Sequence, residues 1–552
     1  MRTSSLARAA AAVVLATAMS PVAAAFAVPA SSLVTETPIA TGHTDQYQTE
    51  SVWSDVYEGK VVYAERTSSY DIWLYDSATG VKKKVASSSV GEYRPRIWGD
   101  YVVYNRDQAS IHLYRISTGT TKTIASKNAR STLTDIYRDK VVYSKYSTLT
   151  KTNDIYVYDI DTGKEKKIIN SVANGAYADD RVQAIWGNNV LYVVNYKDLR
   201  VFNLSTKKSA SLGAAGYDID SDYADSGQNR PAIYQNTVAY VANPDGGPNQ
   251  VFTYDLASKV REQISKDATS HANPAVYSAR VVYTRGSIYN EELVLHDTRA
   301  KRSWDLKIGK SMDASIWGDR LAWTDMRAGV QNGDPLDEGA SWGDEDMYTG
   351  TINTLRIAHS GSMTVSYNTP TSVKITVTKP DGSSVGTGTA IGLQVSSDGV
   401  AWSNEGTVTT SAGEASITVP PLAAKRYIRF TYDGTDELPA TVSKVMSLTP
   451  RVALGAPVAP KTMRYYKSYS VYGSLRPQHS GGTVRIYKYK KVSGNWKRYG
   501  YVNARVYKYG DYSRYRANVK LTSKGSWRLR AYENPDSKHA ETWSGYDYVT
   551  VK

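Results

Sequence analysis

The segment Pro95-Arg-Ile-Trp-Gly-Asp-Tyr-Val-Val-Tyr104 decides the fold, because six other segments of the chain repeat it. Each copy has an apolar run, a tight polar turn such as Gly99-Asp100 and a second apolar run, which is the pattern of a β-hairpin. Each copy ends on an aromatic residue, and successive terminal aromatic residues are 39 to 49 positions apart. The seven segments are Ser54–Tyr63, Pro95–Tyr104, Thr134–Tyr143, Gln183–Tyr192, Pro231–Tyr240, Pro274–Tyr283 and Ala314–Trp323.

Further strand signals follow these hairpins. One unit continues with Asp154-Ile-Tyr-Val-Tyr-Asp159, a turn at Asp161-Thr-Gly163 and the short segment Lys167-Ile-Ile169. Four strands in a period of about 40 to 50 residues are typical of one β-propeller blade. The sequence therefore predicts an all-β protein in which residues 36–352 form a propeller of seven blades, or of six if one weak copy is not a blade.

The seventh unit lacks a fourth strand, because its pattern ends near Ile352, after the third strand at Asp346-Met-Tyr348. Thr37-Pro-Ile-Ala-Thr41, which precedes the first unit, resembles the fourth-strand segment Lys122-Thr-Ile-Ala-Ser126. A propeller has to close, since an unpaired edge strand promotes aggregation. We therefore predict that Pro38 to Thr41 forms the outer strand of the last blade.

The units resemble the TolB-like β-propeller repeat family, whose repeats read P-A-I-W-G-D-x-V-V-Y followed by D-I-Y-V-Y-D-x-x-T-G. The resemblance covers roughly residues 36–352. It implies a propeller, and such propellers are binding platforms in some proteins and gates on serine peptidases in others. A gate is disfavoured here, because the sequence has no G-x-S-x-G motif and too little chain for a hydrolase domain follows the propeller.

The period changes from about Leu355. Segments such as Ser372-Val-Lys-Ile-Thr-Val-Thr378 alternate apolar and polar residues and predict an immunoglobulin-like β-sandwich over residues 355–449. Residues 451–552 form a second, tyrosine-rich and basic domain, also predicted to be an immunoglobulin-like sandwich. Its motifs Tyr469–His479 and Trp543–Val551 resemble the C-terminal immunoglobulin-like surface domains of secreted actinobacterial proteins, which implies a surface-exposed module.

The first 27 residues have the pattern of a secretory signal peptide. Arg2 and Arg8 give the N-terminus a positive charge and precede a short apolar run, Ala9 to Met19. Small residues that suit cleavage follow this run. The run is too short to span a bilayer, and no second apolar run of about 18 residues occurs. The sequence thus predicts a secreted protein, extracellular or associated with the cell wall, with no transmembrane segment in the mature chain.

The positive charge lies almost entirely in the last domain. Residues 451–552 contain 21 lysine and arginine residues against five acidic ones, whereas the whole chain carries +14. A basic face attracts polyanions, so we expect an acidic cell-wall polymer or polysaccharide as partner, and export disfavours nucleic acid. The alternative is a basic strand face that serves solubility alone. The candidate ligand-binding residues are Trp496, Tyr499, Arg514, Arg516, Arg528 and Arg530.

Alternation within one strand supports this choice. Trp527, Leu529 and Ala531 should face one way, and Arg528, Arg530 and Tyr532 should face the other. Arginine and tyrosine interleaved on one face can pair with acidic groups and stack on sugar rings.

Two acidic loops are the candidates for metal binding or catalysis. The first loop contains Asp218, Asp220, Asp222 and Asp225, which have the alternate spacing of calcium ligands. It departs from an EF-hand loop, because Tyr223 stands where the EF-hand has glycine. The alternative is that these aspartates are simply solvated by water in a surface loop. A second acidic loop runs from Asp325 to Asp346. The chain has no cysteine and no pair of histidines at ligand spacing, so no other cofactor is expected. His112 and His296, in separate third strands, are expected to be packed or solvated.

These observations favour a non-enzymatic envelope protein. The basic domain would dock on wall polymer, the middle domain would act as a spacer, and the propeller face would recognise a further partner such as a protein. The alternatives are a polysaccharide lyase or glycosidase with carboxylates on the propeller, and a structural surface-layer component.

Overall fold

The computed structural model describes residues 33–41, 51–66, 69–107, 109–126, 134–147, 152–171, 178–194, 198–213, 229–243, 246–286, 291–327, 345–478 and 482–552. These residues form 45 β-strands and no α-helix, which confirms the predicted all-β class. Within these ranges no helix is long and apolar enough to cross a membrane. The predicted signal peptide lies outside the described residues.

The described strands up to residue 352 form five four-stranded antiparallel sheets and one eight-stranded sheet. The eight-stranded sheet consists of two four-stranded antiparallel units, which a short parallel pairing of Thr152 and Asn153 with Ala178 and Asp179 joins. We call the resulting units blades one to seven. Blades one to three are β2 (Ser51–Tyr57), β3 (Lys60–Arg66), β4 (Tyr70–Asp76) and β5 (Val81–Ala86); β6 (Glu92–Trp98), β7 (Tyr101–Arg106), β8 (Ser110–Arg115) and β9 (Thr120–Ala125); and β10 (Asp135–Tyr137), β11 (Lys140–Ser147), β12 (Thr152–Asp159) and β13 (Lys164–Ile169). Blades four and five are β14 (Ala178–Trp186), β15 (Asn189–Val194), β16 (Asp198–Asn203) and β17 (Lys208–Ser211); and β18 (Ala232–Tyr234), β19 (Thr237–Ala242), β20 (Gln250–Asp255) and β21 (Arg261–Gln263). Blades six and seven are β22 (His271–Tyr277), β23 (Arg280–Arg285), β24 (Glu292–Asp297) and β25 (Arg302–Asp305); and β26 (Ser311–Trp317), β27 (Arg320–Asp325), β28 (Asp346–Ile352) and β1 (Val34–Ala40).

The second strand of each blade is buried on both faces, because neighbouring blades cover it from either side. In β3 the four consecutive residues from Val61 to Ala64 are fully buried, and Tyr104 and Tyr143 occupy the equivalent position of Tyr63 in the next blades. Burial on both faces explains why these strands read as continuous apolar runs rather than as alternating patterns.

The N-terminal strand closes the ring. In β1, Pro38 pairs with Tyr348 of β28 and Ala40 pairs with Met347, which confirms the closure predicted from the sequence. The strand begins earlier than predicted, with Val34 paired to Ile352. A β-carbon on Gly350 would lie 2.6 Å from Val34 and 2.9 Å from Trp323, so the close approach of β1 to β28 requires glycine there.

The middle domain consists of two sheets that enclose one core. The core includes the fully buried Val373, Ile375, Phe430 and Leu448. One sheet is β29 (Arg356–Ser360), β31 (Thr371–Thr378) and β34 (Glu414–Val419); the other is β30 (Thr364–Val365), β37 (Met446–Pro450), β35 (Arg426–Tyr432), β32 (Ala390–Ser396) and β33 (Ser403–Thr409), with β36 (Thr441–Val442) beside β35.

The middle domain contacts blade six of the propeller. Trp304 Nε1 donates a hydrogen bond to the carbonyl of Thr435 at 2.6 Å, and Arg280 Nη2 donates to the carbonyl of Ala440 at 2.6 Å. Ala440 is fully buried in the same apolar cluster as Trp304 and Leu306. The propeller and the middle domain therefore share a packed contact.

The last domain is one continuous eight-stranded sheet rather than the two separate sheets expected of a sandwich. Its order is β38 (Ala453–Leu454), β40 (Ser468–Arg476), β43 (Tyr512–Lys520), β42 (Asn495–Tyr509), β41 (Thr483–Val492), β44 (Gly525–Glu533), β45 (Thr542–Val551) and β39 (Thr462–Met463). The 15-residue β42 pairs with β41 along its first part and with β43 along its last part, and so joins the two halves. Residues from both halves, among them Val471 and Trp527, share one core, so the sheet curls around it.

We predict that shortening Val34 to alanine destabilises the propeller by about 2 kcal/mol, because a fully buried side chain at the closure would leave a cavity. The matched control is Thr35→Ala at the neighbouring exposed position, which we expect to change stability by less than about 0.5 kcal/mol. Denaturant unfolding of the two variants, monitored by tryptophan fluorescence, measures the difference. Equal effects of the two substitutions would show that β1 does not hold the ring closed.

Candidate functional sites

One face of the last domain carries the interleaved side chains that the sequence predicts. In β44, Trp527, Leu529 and Ala531 are buried in the core, while Arg528 and Arg530 are partly exposed on the outer face. The alternation arises because successive side chains of a strand point to opposite faces of the sheet.

Neighbouring strands place aromatic residues beside both arginines. Arg528 lies opposite Tyr489 of β41 and Tyr548 of β45, and Arg530 lies opposite Tyr487 and Tyr546 in the same two strands. Residues directly opposite each other in an antiparallel pair share a face. We call this surface the arginine–tyrosine face; it comprises Arg485, Tyr487, Tyr489, Trp496, Arg498, Tyr501, Arg528, Arg530, Tyr532, Trp543, Tyr546 and Tyr548.

Cation–π contacts hold the guanidinium groups in place. The Arg528 guanidinium carbon lies 3.8 Å from the ring centre of Tyr546 and 4.7 Å from that of Trp496. The Arg498 guanidinium lies 4.3 Å from the ring centre of Tyr487. Arg530 Nε donates a hydrogen bond to the Ser544 carbonyl at 2.7 Å. Such contacts orient an arginine without neutralising its charge, so the face presents fixed positive groups among aromatic rings.

Arg514 and Arg516 belong to a second cluster on β43, which β41 and β42 separate from β44. The Arg514 guanidinium lies 3.7 Å from the ring centre of Tyr509. Arg516 Nε donates a hydrogen bond to Ser470 Oγ at 2.6 Å. The structure thus brings Trp496, Arg528 and Arg530 together and places the other two predicted arginines apart from them.

Tyr499 does not share a face with Trp496. Three positions separate the two residues, and an odd spacing along a strand places side chains on opposite faces. Tyr499 lies at a β-bulge of β42, where the register shifts between Arg498, which pairs with Tyr489, and Tyr501, which pairs with Tyr487. The Tyr499 ring packs edge-on against the core residue Trp527, with ring centres 5.3 Å apart. The contact assigns Tyr499 to the rim of the core rather than to the arginine–tyrosine face.

The predicted calcium loop, Asp218 to Asp225, lies outside the described residues, as does most of the second acidic loop. Asp325, at the start of that second loop, accepts hydrogen bonds from Nε and Nη2 of Arg327 at 2.8 and 2.6 Å. Across the described ranges, no group of three or more potential metal ligands is arranged to hold an ion.

The two third-strand histidines are packed. His112 Nε2 lies 2.9 Å from Ser110 Oγ, and His296 Nδ1 lies 2.9 Å from Ser303 Oγ. Burial lowers the pKa of His112 to about 4, so the ring is neutral at physiological pH.

A ring of seven aromatic residues closes one end of the propeller channel. Each blade contributes the last residue of its first strand, and each ring contacts the next, with ring centres 4.1 to 4.9 Å apart around the circle. Trp98 also reaches across to Trp186 and Trp317, at 5.3 and 5.2 Å. The members of this aromatic floor are Tyr57, Trp98, Tyr137, Trp186, Tyr234, Tyr277 and Trp317.

Above the aromatic floor is a cavity of about 200 Å³ lined by charged side chains, which we call the channel cavity. Asp55, Arg96 and Asp135 line it from the second position of the first three repeats, where the other four repeats have alanine or serine. Arg230 and Asp313 line it from the position just before the fifth and seventh repeats. Charged residues at an otherwise small position of the repeat are the signal by which the sequence marks this cavity.

These side chains also tie blades together. Asp55 Oδ2 accepts the amide of Ile97 at 2.9 Å, and Asp135 Oδ2 accepts the amide of Ile185 at 2.8 Å, each from the next blade. Arg230 Nη2 donates to the carbonyl of Thr134 at 2.9 Å. The cavity walls are therefore fixed by hydrogen bonds between blades.

Burial in the channel shifts the pKa values of its charged groups. Burial raises the pKa of Asp55 to about 6, although the neighbouring Arg96 opposes the shift. Burial likewise raises the pKa of Asp313 to about 6 and lowers the pKa of Arg230 to about 9. Each shift has the sign expected when a charged group leaves water.

No protein-family model and no curated protein matches this chain. Solved structures that resemble it include TolB from Acinetobacter baumannii, with a TM-score of 0.34 and 16% identity over 47% of this chain and 66% of that one. The β-propeller domain of the Trilobed protease from Pyrococcus furiosus aligns with a TM-score of 0.38 and 10% identity, over 50% of this chain and 91% of that domain. A putative TolB from Agrobacterium tumefaciens aligns with a TM-score of 0.32 and 12% identity, over 51% of this chain and 97% of that one. The aligned region thus spans slightly less than two thirds of the Acinetobacter structure. The immunoglobulin-like assignment of the last two domains stays a prediction.

We predict that Asp313→Asn stabilises the protein near pH 7.5 and not near pH 3.5. With its pKa raised to about 6, the native carboxyl keeps its proton while the unfolded one loses it, so this group's contribution to stability falls as pH rises from about 4 to 6. Asparagine stays neutral and can still accept the hydrogen bond from Asn273. The expected gain is up to about 3 kcal/mol at pH 7.5.

The matched control is Asp381→Asn in an exposed turn, where the pKa is lowered by hydrogen bonds from Ser383 and no gain is expected. Denaturant unfolding at the two pH values measures both variants. A gain for Asp313→Asn that is the same at both pH values would contradict a buried, raised-pKa carboxyl.

Proposed function

We propose that the protein is a secreted, non-enzymatic cell-envelope protein. Its last domain docks on an acidic wall polymer or polysaccharide through the arginine–tyrosine face, and its propeller serves as a recognition platform. The observation that carries the proposal is the arrangement of Arg528 and Arg530 among the rings of Tyr489, Tyr546 and Tyr548 on the outer surface of the domain that holds the positive charge.

Charge makes an extended polyanion the best match. An excess of 16 positive charges in residues 451–552 creates a long-range field, and binding a polyanion there would release its counterions. Side chains two positions apart on a strand lie about 6.8 Å from each other, and neighbouring strands are about 4.8 Å apart. Arg485, Arg498, Arg528 and Arg530 are distributed over three neighbouring strands, so they offer a lattice of charge that one small anion would not fill.

The aromatic residues suit a polymer that also carries sugar rings. Trp543, Tyr501 and Tyr548 are 38%, 44% and 54% exposed, although aromatic side chains of this size gain from burial. Apolar faces of sugar rings can stack on such side chains while the guanidinium groups pair with carboxylates or phosphates. Both parts of the face would then contact a single acidic glycan.

The middle domain is suited to a spacer, because hydrogen bonds hold it to both neighbours. Trp304 of the propeller binds the carbonyl of Thr435, as described above. At the other end, His539 Nε2 lies 2.9 Å from the carbonyl of Ala423, and the amide of Lys425 donates to the carbonyl of Lys538 at 2.8 Å. A propeller carried in this way would keep a defined orientation on the polymer.

The channel carboxylates favour a non-enzymatic role over a glycosidase or lyase. Asp55 accepts backbone amides on both carboxylate oxygens, from Val56 at 3.0 Å and from Ile97 at 2.9 Å. Asp135 accepts the amide of Ile185 on Oδ2 at 2.8 Å. A general acid or base exchanges protons with substrate, whereas these oxygens hold blades together.

We predict that Arg528→Gln with Arg530→Gln in the mature full chain weakens binding to purified bacterial cell walls at least about tenfold at low salt, because two charge-assisted contacts are lost. The dependence of log affinity on log salt should become shallower by about two. Co-sedimentation across a salt series measures both quantities. Tyr548→Ala should weaken binding without changing the salt slope, since stacking is not screened.

The control variant combines Arg356→Gln and Lys374→Gln on exposed positions of the middle domain, which removes the same net charge. It should bind walls like the unmodified protein. If the two double variants sediment alike at every salt concentration, the arginine–tyrosine face does not dock the protein and the charge serves solubility.

A further inference from the structure

The channel cavity brings together opposite charges that do not pair with one another. Within the described part of the chain, Asp55, Asp135 and Asp313 form no close ion pair with Arg96 or Arg230, although all five side chains line the same space and the charge of Arg96 acts on Asp55. Opposite charges in a low-dielectric space attract strongly unless hydrogen bonds hold them apart. Here backbone contacts between blades hold them, so both signs of charge face the cavity.

One buried hydrogen-bond donor in this space has no partner among the residues that the structure describes. Arg230 Nη1 makes no hydrogen bond to any of them, while Nη2 of the same side chain donates to the carbonyl of Thr134 at 2.9 Å. An unpaired buried donor of a charged group costs free energy, which a bound anionic group would recover. The donor therefore marks a place for a carboxylate or similar group.

The lining carries both signs of charge. The carboxylates of Asp55, Asp135 and Asp313 and the guanidinium groups of Arg96 and Arg230 surround one space. With three negative groups against two positive ones, the lining disfavours a ligand with a large net charge. Because both signs are present, the lining favours a ligand that carries one group of each sign.

The aromatic floor suits the cationic end of such a ligand. Trp98, Trp186 and Trp317 line the lower end of the cavity, and indole rings attract cations above their faces. A cavity of about 200 Å³ is somewhat larger than one known to enclose a benzene molecule, so it would hold a molecule of the size of an amino acid or dipeptide.

We propose that the channel cavity binds a small zwitterion of the amino acid or short peptide class, with its anionic group on Arg230 Nη1 and its cationic group towards the carboxylates and the aromatic floor. This site lies in the propeller and is independent of docking by the last domain. Asn273 and Asp313, which hydrogen-bond to each other at the cavity wall, would fix the position of the cationic group.

The test is isothermal titration calorimetry on the mature full chain with the standard amino acids, alanylalanine and glycine betaine. Acetate, methylammonium and glycerol serve as analogues that carry one charge or none. We expect at least one zwitterion to bind saturably with a dissociation constant below about 1 mM, and we expect the three analogues to bind at least tenfold more weakly. No binding by any zwitterion, or equal binding of acetate alone, would overturn the proposal.

Two substitutions assign the binding to this cavity. Arg230→Gln removes the proposed contact with the anionic group. Asp313→Asn removes a negative charge from the cavity. Because the Asp313→Asn variant should be more stable than the parent at neutral pH, a loss of binding in this variant cannot come from unfolding. Each should weaken zwitterion binding at least tenfold, whereas Lys266→Gln on an exposed turn should leave it unchanged. Unchanged binding in Asp313→Asn would overturn the proposal, and wall binding, measured in parallel, should be the same in all three variants.

Discussion

Closure of the propeller ring is the constraint on which the other features depend. Wedge-shaped blades can share one axis only if the last blade meets the first, and the pairing of β1 with β28 completes that last blade. Once the ring is closed, the ends of the first strands converge, and their seven aromatic residues come within contact distance around the axis. The same convergence crowds Asp55, Arg96 and Asp135 into one cavity, which no single blade could form. Closure therefore determines both the floor and the walls of the channel.

The last domain is built differently, because a single sheet encloses its core. The long strand β42 lets the sheet curl, and the apolar residues of both halves then face inward. Arginine and tyrosine side chains occupy the outer face, where guanidinium groups lie over aromatic rings. The guanidinium carbon of Arg528, for example, lies 3.8 Å from the ring centre of Tyr546. This arrangement keeps long, flexible cations ordered at the surface, so binding as we propose it would cost them less conformational entropy. Basic charge and a preorganised aromatic surface thus coincide on this domain.

The sequence was sufficient to predict the features that repeat or alternate. A period of 39 to 49 residues between terminal aromatic residues indicated the blades, and the missing fourth strand after Tyr348 indicated the closure by Pro38. Alternation in β44 separated Trp527 from Arg528 correctly. The sequence was insufficient where side chains from distant segments meet: Arg514 and Arg528 looked like one site, but β41 and β42 lie between their strands. Tyr499 and Trp496 were grouped together although their odd spacing places them on opposite faces. The charges of the channel stand out at a small position of the repeat, but the repeat alone does not show that this position faces the axis.

Hydroxyl-radical footprinting of the mature full chain, with and without purified acidic wall polymer, tests the docking face most directly, because it reads the exposure of individual side chains. Tyr548 on the arginine–tyrosine face and Tyr466 outside it are 54% and 53% exposed, so the two tyrosines are matched reporters. Our account predicts that polymer slows the oxidation of Tyr548 several-fold and leaves that of Tyr466 unchanged. Equal rates for Tyr548 with and without polymer, under conditions in which the protein sediments with that polymer, would contradict it.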